Sequence, residues 1–277
     1  MKIMDKQSGN SYGNLQQFLI KVVANRKSQS ALEKITDFLQ SLMGIGLGGD
    51  VHNSGEKSIL EFLISNFQEP YYIFDVGSNK GQYLELAIHT LKSRKYEIHC
   101  FEPSKYTFDC LLQKAQAHLS STIYFNNIAL GDKSGELNLY YDQAGSGGAS
   151  FTKRNLGHFD MNFNQSEIVK TSTLDEYCMN CKINRINLLK LDVEGHELDV
   201  LRGASEMLRN DKVDMITFEF GGCNIDTKTF FQNYYYLFKD YKMNIFRVTP
   251  SGYLYPINSY REILEQFRTT NFVAMKT

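Results

Sequence analysis

The sequence predicts an α/β fold built on a mostly parallel sheet with helices on both faces. Apolar runs typical of buried strands lie at 71–76, 187–193 and 213–220. Stretches with helical periodicity separate such runs, for example the stretch that carries Leu84 and Leu91. This alternation is typical of a parallel sheet whose connecting helices cover both of its faces.

The composition indicates one large domain, or one domain with a small appendage. The chain has 277 residues, and 42% of them are hydrophobic, which is enough for a substantial core. The net charge of −1, with scattered Lys and Arg, disfavours a dedicated nucleic-acid binder. No apolar run approaches the roughly 18 residues of a membrane span, and the N-terminus lacks the apolar core of a signal peptide. We therefore expect a cytoplasmic protein, in agreement with five cysteines that show no disulfide spacing.

Residues 1–53 are predicted to form a helical N-terminal appendage. One helix is predicted from an apolar stripe at helical spacing, formed by Leu15, Phe18, Leu19, Val22 and Val23. A second helix is predicted to begin at Ser30, because Glu33 three residues later completes a capping-box pattern. It ends in a glycine-rich break at 44–49. The appendage could cover a functional site, cap the core or pair two subunits, so an oligomer is possible. Residues 54–277 are predicted to form the main domain.

The main domain begins with a helix that carries Ile59 and Leu63 and leads into the strand at 71–76. A glycine turn and a second helix follow. Further strands are predicted at 97–101, 122–128, 136–141, 167–171, 187–193, 213–220, 243–248 and 271–276. A helix is predicted to begin at Thr173, with Glu176 in the capping position.

The turn after the first strand has the features of a nucleotide-type ligand site. Ligands in such sheets bind beyond the carboxyl ends of the strands. Gly77 and Gly81 allow a tight turn and a close approach of the backbone to a ligand. Glu102 ends the second strand, where a carboxylate can accept hydrogen bonds from both ribose hydroxyls.

Two ligands fit this outline, a dinucleotide and S-adenosylmethionine. The dinucleotide fingerprint needs a third glycine, whereas this turn has Asn79 between Gly77 and Gly81. Asp75 at the mouth of the loop would repel a pyrophosphate but favour the cationic groups of S-adenosylmethionine. The turn therefore favours S-adenosylmethionine, although its two glycines could also serve only a tight strand-to-helix connection.

The strand around Lys190 departs from the apolar pattern of a buried parallel strand. Lys190, Asp192 and Glu194 alternate along it and so share one face. Burying three ionisable groups costs several kcal/mol unless they pair or serve a function. His196 follows directly, and Glu219 places another acid in the next predicted strand. Acids at the ends of adjacent strands predict a polar site at this edge of the sheet.

These motifs resemble those of the FkbM family of methyltransferases. The matching segments are FDVGSNKGQY at 74–83, FEPS at 101–104, ALGDKSG at 129–135, TLDEY at 173–177 and LLKLDVEGHELDVLRGA at 188–204. The last segment is the most specific of these, and the segment 54–56 is similar to the lead-in of the family. The resemblance covers roughly residues 54–276 and does not clearly extend to the appendage.

The resemblance implies a Rossmann-like class I methyltransferase fold, with a seven-stranded sheet whose last strand is antiparallel. It implies S-adenosylmethionine as the methyl donor and a hydroxyl acceptor on a sugar, a polysaccharide precursor or a secondary metabolite. By position, it places the methionine part near Asp75, the ribose at Glu102 and the adenine around residues 127–130. The implied cofactor-binding residues are Asp75, Gly77, Ser78, Asn79, Gly81, Glu102, Asn127 and Ala129.

Such an enzyme must hold the acceptor oxygen near the methyl group and help to remove its proton. We predict His196 or Asp192 as the general base, with Glu194 and Glu219 orienting the acceptor. Two alternatives stay open: His196 only caps the following helix, and Lys190 is a structural partner of Glu219 or Asp192.

Other interpretations also stay open. Asp192, Glu194 and His196 could bind a divalent cation, but the motif does not demand one, and no metal is expected. The chain could be an inactive methyltransferase fold used as a binding module, or an enzyme that acts on RNA or protein. We expect a small-molecule or glycan acceptor instead, framed by the flexible loop 144–150 and the aromatic segment 253–255.

Overall fold

The computed structural model describes residues 13–49, 54–116 and 122–276. The chain divides into two compact units, Met1–Leu42 and Met43–Thr277. Within the described ranges, no helix is both long enough and apolar enough to cross a membrane.

The N-terminal unit contains two helices, α1 (Asn14–Val23) and α2 (Arg26–Leu42). The prediction of two helices is confirmed, but α2 begins ahead of Ser30. Asn25 explains the earlier start, because its side-chain oxygen accepts the backbone N–H of Ser28 at 3.1 Å.

The predicted apolar stripe of α1 is present, and its members Phe18, Leu19 and Val22 are exposed. The side chain of Leu15 lies outside the described part of the chain. Along α2, no described residue is buried. The pairing of two subunits through these helices stays a prediction.

The glycine-rich segment after α2 belongs to the second unit rather than to the appendage. The backbone N–H groups of Gly46 and Gly48 both donate to the carbonyl of Thr269, at 3.1 and 2.9 Å. The division therefore falls after Leu42, earlier than predicted. Residues 50–53, which precede the predicted boundary, lie outside the described ranges.

The second unit alternates strands and helices as predicted. The strands are β1 (Tyr71–Val76), β2 (Tyr96–Phe101), β3 (Ile123–Asn126), β4 (Ala129–Leu130), β5 (Gly135–Tyr141), β6 (Gln165–Ser172), β7 (Ile186–Leu191), β8 (Val213–Phe220), β9 (Asn244–Val248), β10 (Leu254–Pro256) and β11 (Thr270–Met275). The helices are α3 (Glu56–Asn66), α4 (Gln82–Leu91), α5 (Lys105–Ala115), α6 (Leu174–Cys181), α7 (Glu197–Arg202), α8 (Ser205–Arg209), α9 (Cys223–Thr227) and α10 (Phe231–Asp240). The predicted cap of α6 is confirmed, because the Thr173 hydroxyl accepts the N–H of Glu176 at 3.1 Å.

The main sheet has eight strands in the order β10-β9-β11-β8-β7-β1-β2-β3. Five neighbouring strands, in the order β8-β7-β1-β2-β3, pair in parallel. Strand β11 is antiparallel to both β8 and β9. The mostly parallel fold and the antiparallel last strand are confirmed, whereas the predicted number of seven strands is corrected to eight. The additional strand β10 is three residues long and pairs with β9 at the edge. A strand so short shows no hydrophobic periodicity.

A separate three-stranded sheet has the order β4-β6-β5. The predicted strands at 136–141 and 167–171 lie in this sheet rather than in the main one. The loop after β5 includes residues 144–149, and Tyr140 and Ser150 exchange backbone hydrogen bonds of 2.8 and 3.0 Å across it. These bonds fold the loop back toward the end of β5.

Two apolar cores lie on opposite faces of the main sheet. One packs against α6, α7, α8 and α10, and the other against α3, α4 and α5. This confirms the prediction that helices cover both faces. In register, Asp75 of β1 is the neighbour of Lys190 of β7, which is the neighbour of Thr217 of β8. Register neighbours point to the same face, so these polar side chains come together beside α3.

Candidate active site

A cavity opens at the carboxyl ends of β1, β2 and β7. Gly77 and Asn79 line it from the turn after β1, and Glu102 lines it from the end of β2. Asp192 and Glu194 line it from the turn after β7, and the loop after β5 also contributes. Open α/β sheets bind their ligands at this position.

The turn after β1 has a backbone shape that requires glycine. Gly77 has a φ of +87°, and a Cβ atom there would lie 1.8 Å from the carbonyl oxygen of Asp192. The N–H groups of Gly77 and Ser78 both donate to the carbonyl of Phe101 at 3.0 Å. The turn is therefore fixed closely against the ends of β2 and β7.

The other predicted residues of this turn have different tasks. Asn79 lines the cavity, and its buried Oδ1 has no hydrogen-bond partner among the described residues. The Ser78 hydroxyl donates to the carbonyl of Asp75 at 2.7 Å. Gly81 precedes α4 with a φ of +86°, where a Cβ atom would meet Leu111. Asn79 is thus available to a ligand, whereas Ser78 and Gly81 stabilise the turn.

The carboxylate of Glu102 forms one end of the cavity. Its two oxygens each accept a backbone N–H, from Asn79 at 3.0 Å and from Ser104 at 2.9 Å. Burial raises the pKa of Glu102 to about 7, although both N–H donors oppose this shift. Each oxygen keeps a lone pair for a further donor, as two ribose hydroxyls require.

Asn127 supports this end of the cavity from behind. Its side-chain N–H groups donate to the carbonyls of Glu102 and Pro103, both at 2.9 Å. The next three residues form an apolar part of the cavity wall, namely Ile128, Ala129 and Leu130. Ala129 therefore lies where the adenine was predicted, while Asn127 acts on the backbone.

Asp75 is fully buried and faces Lys190 rather than the cavity. The Nζ atom of Lys190 lies 3.3 Å from Oδ1 of Asp75 and 3.2 Å from Oδ2 of Asp192. Burial raises the pKa of Asp75, and the ammonium of Lys190 opposes the shift. The carboxylate expected at the mouth of the loop is thus paired, so it discriminates against a pyrophosphate less than predicted. Lys190 is a structural partner of Asp192, one of the alternatives left open.

A buried side chain holds the turn after β7. Glu197 is completely buried, and its Oε1 accepts the N–H groups of Val193 and Gly195 at 3.1 and 3.2 Å. Its Oε2 accepts the hydroxyl of Tyr234 at 3.0 Å. Glu194 sits within this turn at a φ of +53°. Sequence patterns missed Glu197 because an acid is ordinary in the first turn of a helix such as α7.

Tyr234 extends these contacts to the turn after β8. The side-chain N–H of Asn224 donates to the Tyr234 hydroxyl at 3.2 Å. The Oδ1 atom of Asn224 accepts the N–H of Gly221 at 2.8 Å. Glu219 lies two positions before Gly221. A buried chain of hydrogen bonds therefore joins the two turns that follow the acid-bearing strands.

Arg154 holds Glu194 in place at the cavity. Its Nη1 lies 2.5 Å from Oε2 of Glu194, and its Nε lies 3.3 Å from Oδ2 of Asp226. Burial, followed by the charge of Asp192, raises the pKa of Glu194 to about 7, and Arg154 opposes this. No sequence pattern indicates Arg154, which lies in an irregular segment between β5 and β6.

His196 has partners for both of its ring nitrogens. Nδ1 lies 2.9 Å from Oδ2 of Asp199, and Nε2 lies 3.1 Å from Oγ1 of Thr152. Its side chain makes no capping hydrogen bond to the described backbone of α7, so the capping alternative gains no support. The ring joins the loop after β5 to α7, whereas Asp192 lines the cavity directly.

Glu219 lines a second, smaller cavity. Asp192 lines both cavities. The structure thus brings Glu219 to the neighbourhood of Asp192 but not to the first cavity. The aromatic segment 253–255 overlaps the edge strand β10 and contributes to neither wall.

Two of the predicted acids, Asp192 and Glu194, are paired with neighbouring cationic side chains. Lys190 pairs with Asp192, and Arg154 pairs with Glu194. In the part of the chain that the structure describes, no group of three or more His, Cys, Asp or Glu side chains is arranged to hold a metal ion.

Comparison with known proteins identifies one family and several relatives. The family profile described as the methyltransferase FkbM domain matches residues 75–246. Hexuronic acid methyltransferase AglP of Haloferax volcanii is 27% identical over 156 residues, which are 56% of this chain and 59% of that protein. Methyltransferase 1 of Beauveria bassiana is 26% identical over 159 residues, which are 52% of this chain and 62% of that protein. This chain therefore spans less than two thirds of the length of either relative.

Among solved structures, the chain is similar to a methyltransferase FkbM from Methylobacillus flagellatus, with 14% sequence identity and a TM-score of 0.48. The superposition covers 79% of this chain and 47% of that chain. The family match includes every predicted site residue, from Asp75 to Glu219. The predicted enzyme class, a methyltransferase, is thereby confirmed. The chain belongs to the FkbM family of methyltransferases.

Proposed function

We propose that this protein transfers a methyl group from S-adenosylmethionine to a hydroxyl of a sugar, a polysaccharide precursor or a secondary metabolite. One observation carries the proposal: a single cavity runs from the buried acid Glu102 to the acids Asp192 and Glu194. S-adenosylmethionine is the methyl donor, and its sulfonium supplies a methyl group that is already activated.

The residues of the cavity fit this cofactor. Glu102 offers two carboxylate oxygens to the ribose, and the apolar wall at 128–130 suits the adenine. Asn79 offers an unpaired Oδ1. Asp192 and Glu194 give the opposite end a negative charge, which favours a cation there.

Asp192 is best placed to accept the proton of the acceptor hydroxyl. Its side chain is 37% exposed and lines both cavities, and only one of its oxygens is paired, with Lys190. His196 is the weaker candidate for the base, because Asp199 and Thr152 occupy its two nitrogens. Arg154 fixes Glu194 beside Asp192, where Glu194 can orient the acceptor.

The acceptor class rests on similarity to AglP, whose name describes a methyltransferase of hexuronic acid. At 27% identity over part of the chain, this likeness supports a sugar-type acceptor. The cavity wall includes small and polar residues of the loop after β5, such as Ser146 and Gly147. These leave room for a polar acceptor beside Asp192.

Calorimetric titration of S-adenosylhomocysteine, in parallel with NAD and UDP-glucose, tests the cofactor. We expect only S-adenosylhomocysteine to bind, and Glu102→Gln to weaken its affinity about tenfold, since hydrogen bonds to a charged acceptor are lost. The matched control is Glu136→Gln, an exposed acid on β5.

Absence of S-adenosylhomocysteine binding by the unmodified protein would favour the inactive binding module instead. Once binding is established, transfer of a labelled methyl group to sugars, RNA and protein separates the remaining alternatives. Labelling of RNA or protein alone would reject the sugar-type acceptor.

A further inference from the structure

The second cavity lies on the far side of Asp192 from the first. It sits between the start of α3 and the ends of β7, β8 and β11. Its polar lining consists of Glu56, Lys190, Asp192, Thr217, Glu219 and Asn271. Because Asp192 is common to both cavities, a group bound here would adjoin a ligand in the first.

Two of its acids have almost no partners. The carboxylate of Glu56 accepts one hydrogen bond, from the Ser54 hydroxyl at 3.0 Å. For Glu219, the described residues provide neither a hydrogen bond nor an ion pair. Burial raises the pKa of Glu56 to about 7 and raises that of Glu219 well above its usual range. Each carboxylate would be stabilised by a cation.

The cavity has no spare positive charge of its own. Lys190 is the one cationic side chain among its lining residues. The ammonium of Lys190 already lies 3.3 Å from Asp75 and 3.2 Å from Asp192. Glu56 and Glu219 therefore share the charge of this one ammonium with Asp75 and Asp192, and neither has an ion pair of its own among the described residues.

Asn271 provides an independent indication of a ligand. It is 7% exposed, lines the cavity, and lies opposite Glu219 in the pairing of β11 with β8. Its Nδ2 atom is buried and has no acceptor within the described ranges. Buried donors are normally paired. The unpaired Nδ2 therefore indicates that an oxygen acceptor is missing from the same cavity in which the two acids lack a cation of their own.

We infer that the second cavity binds a primary ammonium group that has an oxygen atom close to it. Glu56 and Glu219 accept the N–H groups of the ammonium, and Asn271 donates to the neighbouring oxygen. The inference rests on the proposed function, because it assigns this group to a ligand of the same site.

Two ligands can bring this chemistry to the cavity. The amino-acid end of the cofactor carries an ammonium beside a carboxylate. An amino sugar acceptor carries an ammonium beside a hydroxyl. Both would reach the cavity past Asp192, and binding experiments distinguish them.

The cofactor arm compares S-adenosylhomocysteine with 5′-methylthioadenosine, which lacks the amino-acid end. The variants are Glu219→Gln and Glu56→Gln, which keep the shape and remove the charge, with Glu136→Gln as the control. If the cofactor supplies the ammonium, Glu219→Gln weakens S-adenosylhomocysteine about tenfold and leaves 5′-methylthioadenosine unchanged.

The acceptor arm compares glucosamine with glucose, with and without S-adenosylhomocysteine. If the acceptor supplies the ammonium, the unmodified protein prefers glucosamine, and Glu219→Gln removes the preference. Glu56→Gln repeats the test should Glu219→Gln fail to fold.

The inference is overturned if both charge-removing variants keep both preferences, or if the unmodified protein has neither preference. A failure of the proposed function looks different, because neither nucleoside would then bind. In that case the glucosamine arm without nucleoside still decides the inference.

Discussion

The turns after β1 and β7 meet at the same cavity, but different means hold them. In the turn after β1, Gly77 takes a backbone shape that excludes a side chain, against the carbonyl of Asp192. In the turn after β7, the buried carboxylate of Glu197 binds the backbone N–H groups of Val193 and Gly195. One turn depends on a missing side chain, and the other depends on a buried one.

This difference explains why only one of the turns was understood from the sequence. A glycine in a tight turn is visible in the sequence, because few other residues accept its backbone angles. A buried acid that binds backbone looks like any acid at the start of a helix. The partner of Glu197, Tyr234, is distant in sequence, and only the fold brings them together.

The largest effect is expected for Gly77→Ala, which tests the turn after β1. Its Cβ atom would lie 1.8 Å from a backbone oxygen at a φ of +87°. Left-handed strain and overpacking together should cost about 2–5 kcal/mol of unfolding free energy, and S-adenosylhomocysteine binding should be lost. Urea denaturation and calorimetry measure the two effects. Gly131→Ala is the control, since its Cβ atom would meet nothing within 4 Å. Equal stability of the two variants would contradict the glycine requirement.

Glu197→Ala tests the turn after β7. It leaves two N–H groups and the Tyr234 hydroxyl without their buried acceptor, which should cost about 3 kcal/mol in urea denaturation. Glu197→Gln keeps one oxygen and should lose less. We expect kcat to fall in both variants, because Asp192 and Glu194 flank the affected backbone. Stability and kcat both unchanged in the alanine variant would show that the turn does not depend on this carboxylate.

A pH series tests Glu102, the acid that binds the N–H of Asn79 in the turn after β1. Its pKa is raised to about 7 by burial, with Asp75 and Glu167 adding to the shift. Ribose hydroxyls donate best to the ionised form, so affinity for S-adenosylhomocysteine should rise as the pH rises through 7. Between pH 6 and 7 we expect the affinity to rise about fivefold. This is less than the tenfold change that corresponds to 1.36 kcal/mol, or one pKa unit.

The same raised pKa affects the protein without ligand. The folded state keeps the proton of Glu102 between its ordinary pKa of 4.5 and about 7. This contribution to stability is therefore complete below 4.5 and is lost as the pH rises to about 7. Glu102→Gln should flatten the pH dependence of binding. An unchanged slope in that variant would assign the dependence to another acid, such as Glu194.

The smallest effect is expected for Tyr234→Phe, which removes one of the three donors to Glu197. The loss should be about 1 kcal/mol of unfolding free energy, with a modest fall in kcat. Tyr236→Phe, an exposed tyrosine on the same helix α10, is the control. A thermal unfolding series separates the two variants. An effect as large as that of Glu197→Ala would mean that Tyr234, rather than Glu197, fixes the turn.

Much of the fold could be predicted because local sequence patterns indicate most of its strands and helices. Alternating apolar and amphipathic segments predicted the parallel sheet, and family resemblance supplied the antiparallel last strand. The edge strand β10 was missed because three residues show no periodicity. The start of α2 was misplaced because Asn25, rather than Ser30, provides its cap.

The candidate site could be predicted only in part. Residues next to a motif were found, as with Gly77, Glu102 and Asp192. Arg154 was missed because its contact with Glu194 depends on the path of a long loop. The burial of Asp75 against Lys190 depends on the register of β1 with β7, which no local pattern specifies. The assignment of catalytic and cofactor-binding roles stays a prediction.

The contact between the glycine-rich segment and Thr269 bears on where the chain can be shortened. Thr269 directly precedes β11, and a Cβ atom on Gly221 would lie 2.7 Å from its Cα atom. A truncation that began at residue 54 would leave the Thr269 carbonyl without the N–H groups of Gly46 and Gly48. It would loosen the start of β11, where Asn271 lies, and the turn that follows Glu219. A shortened chain that keeps these two hydrogen bonds must therefore begin ahead of Gly46.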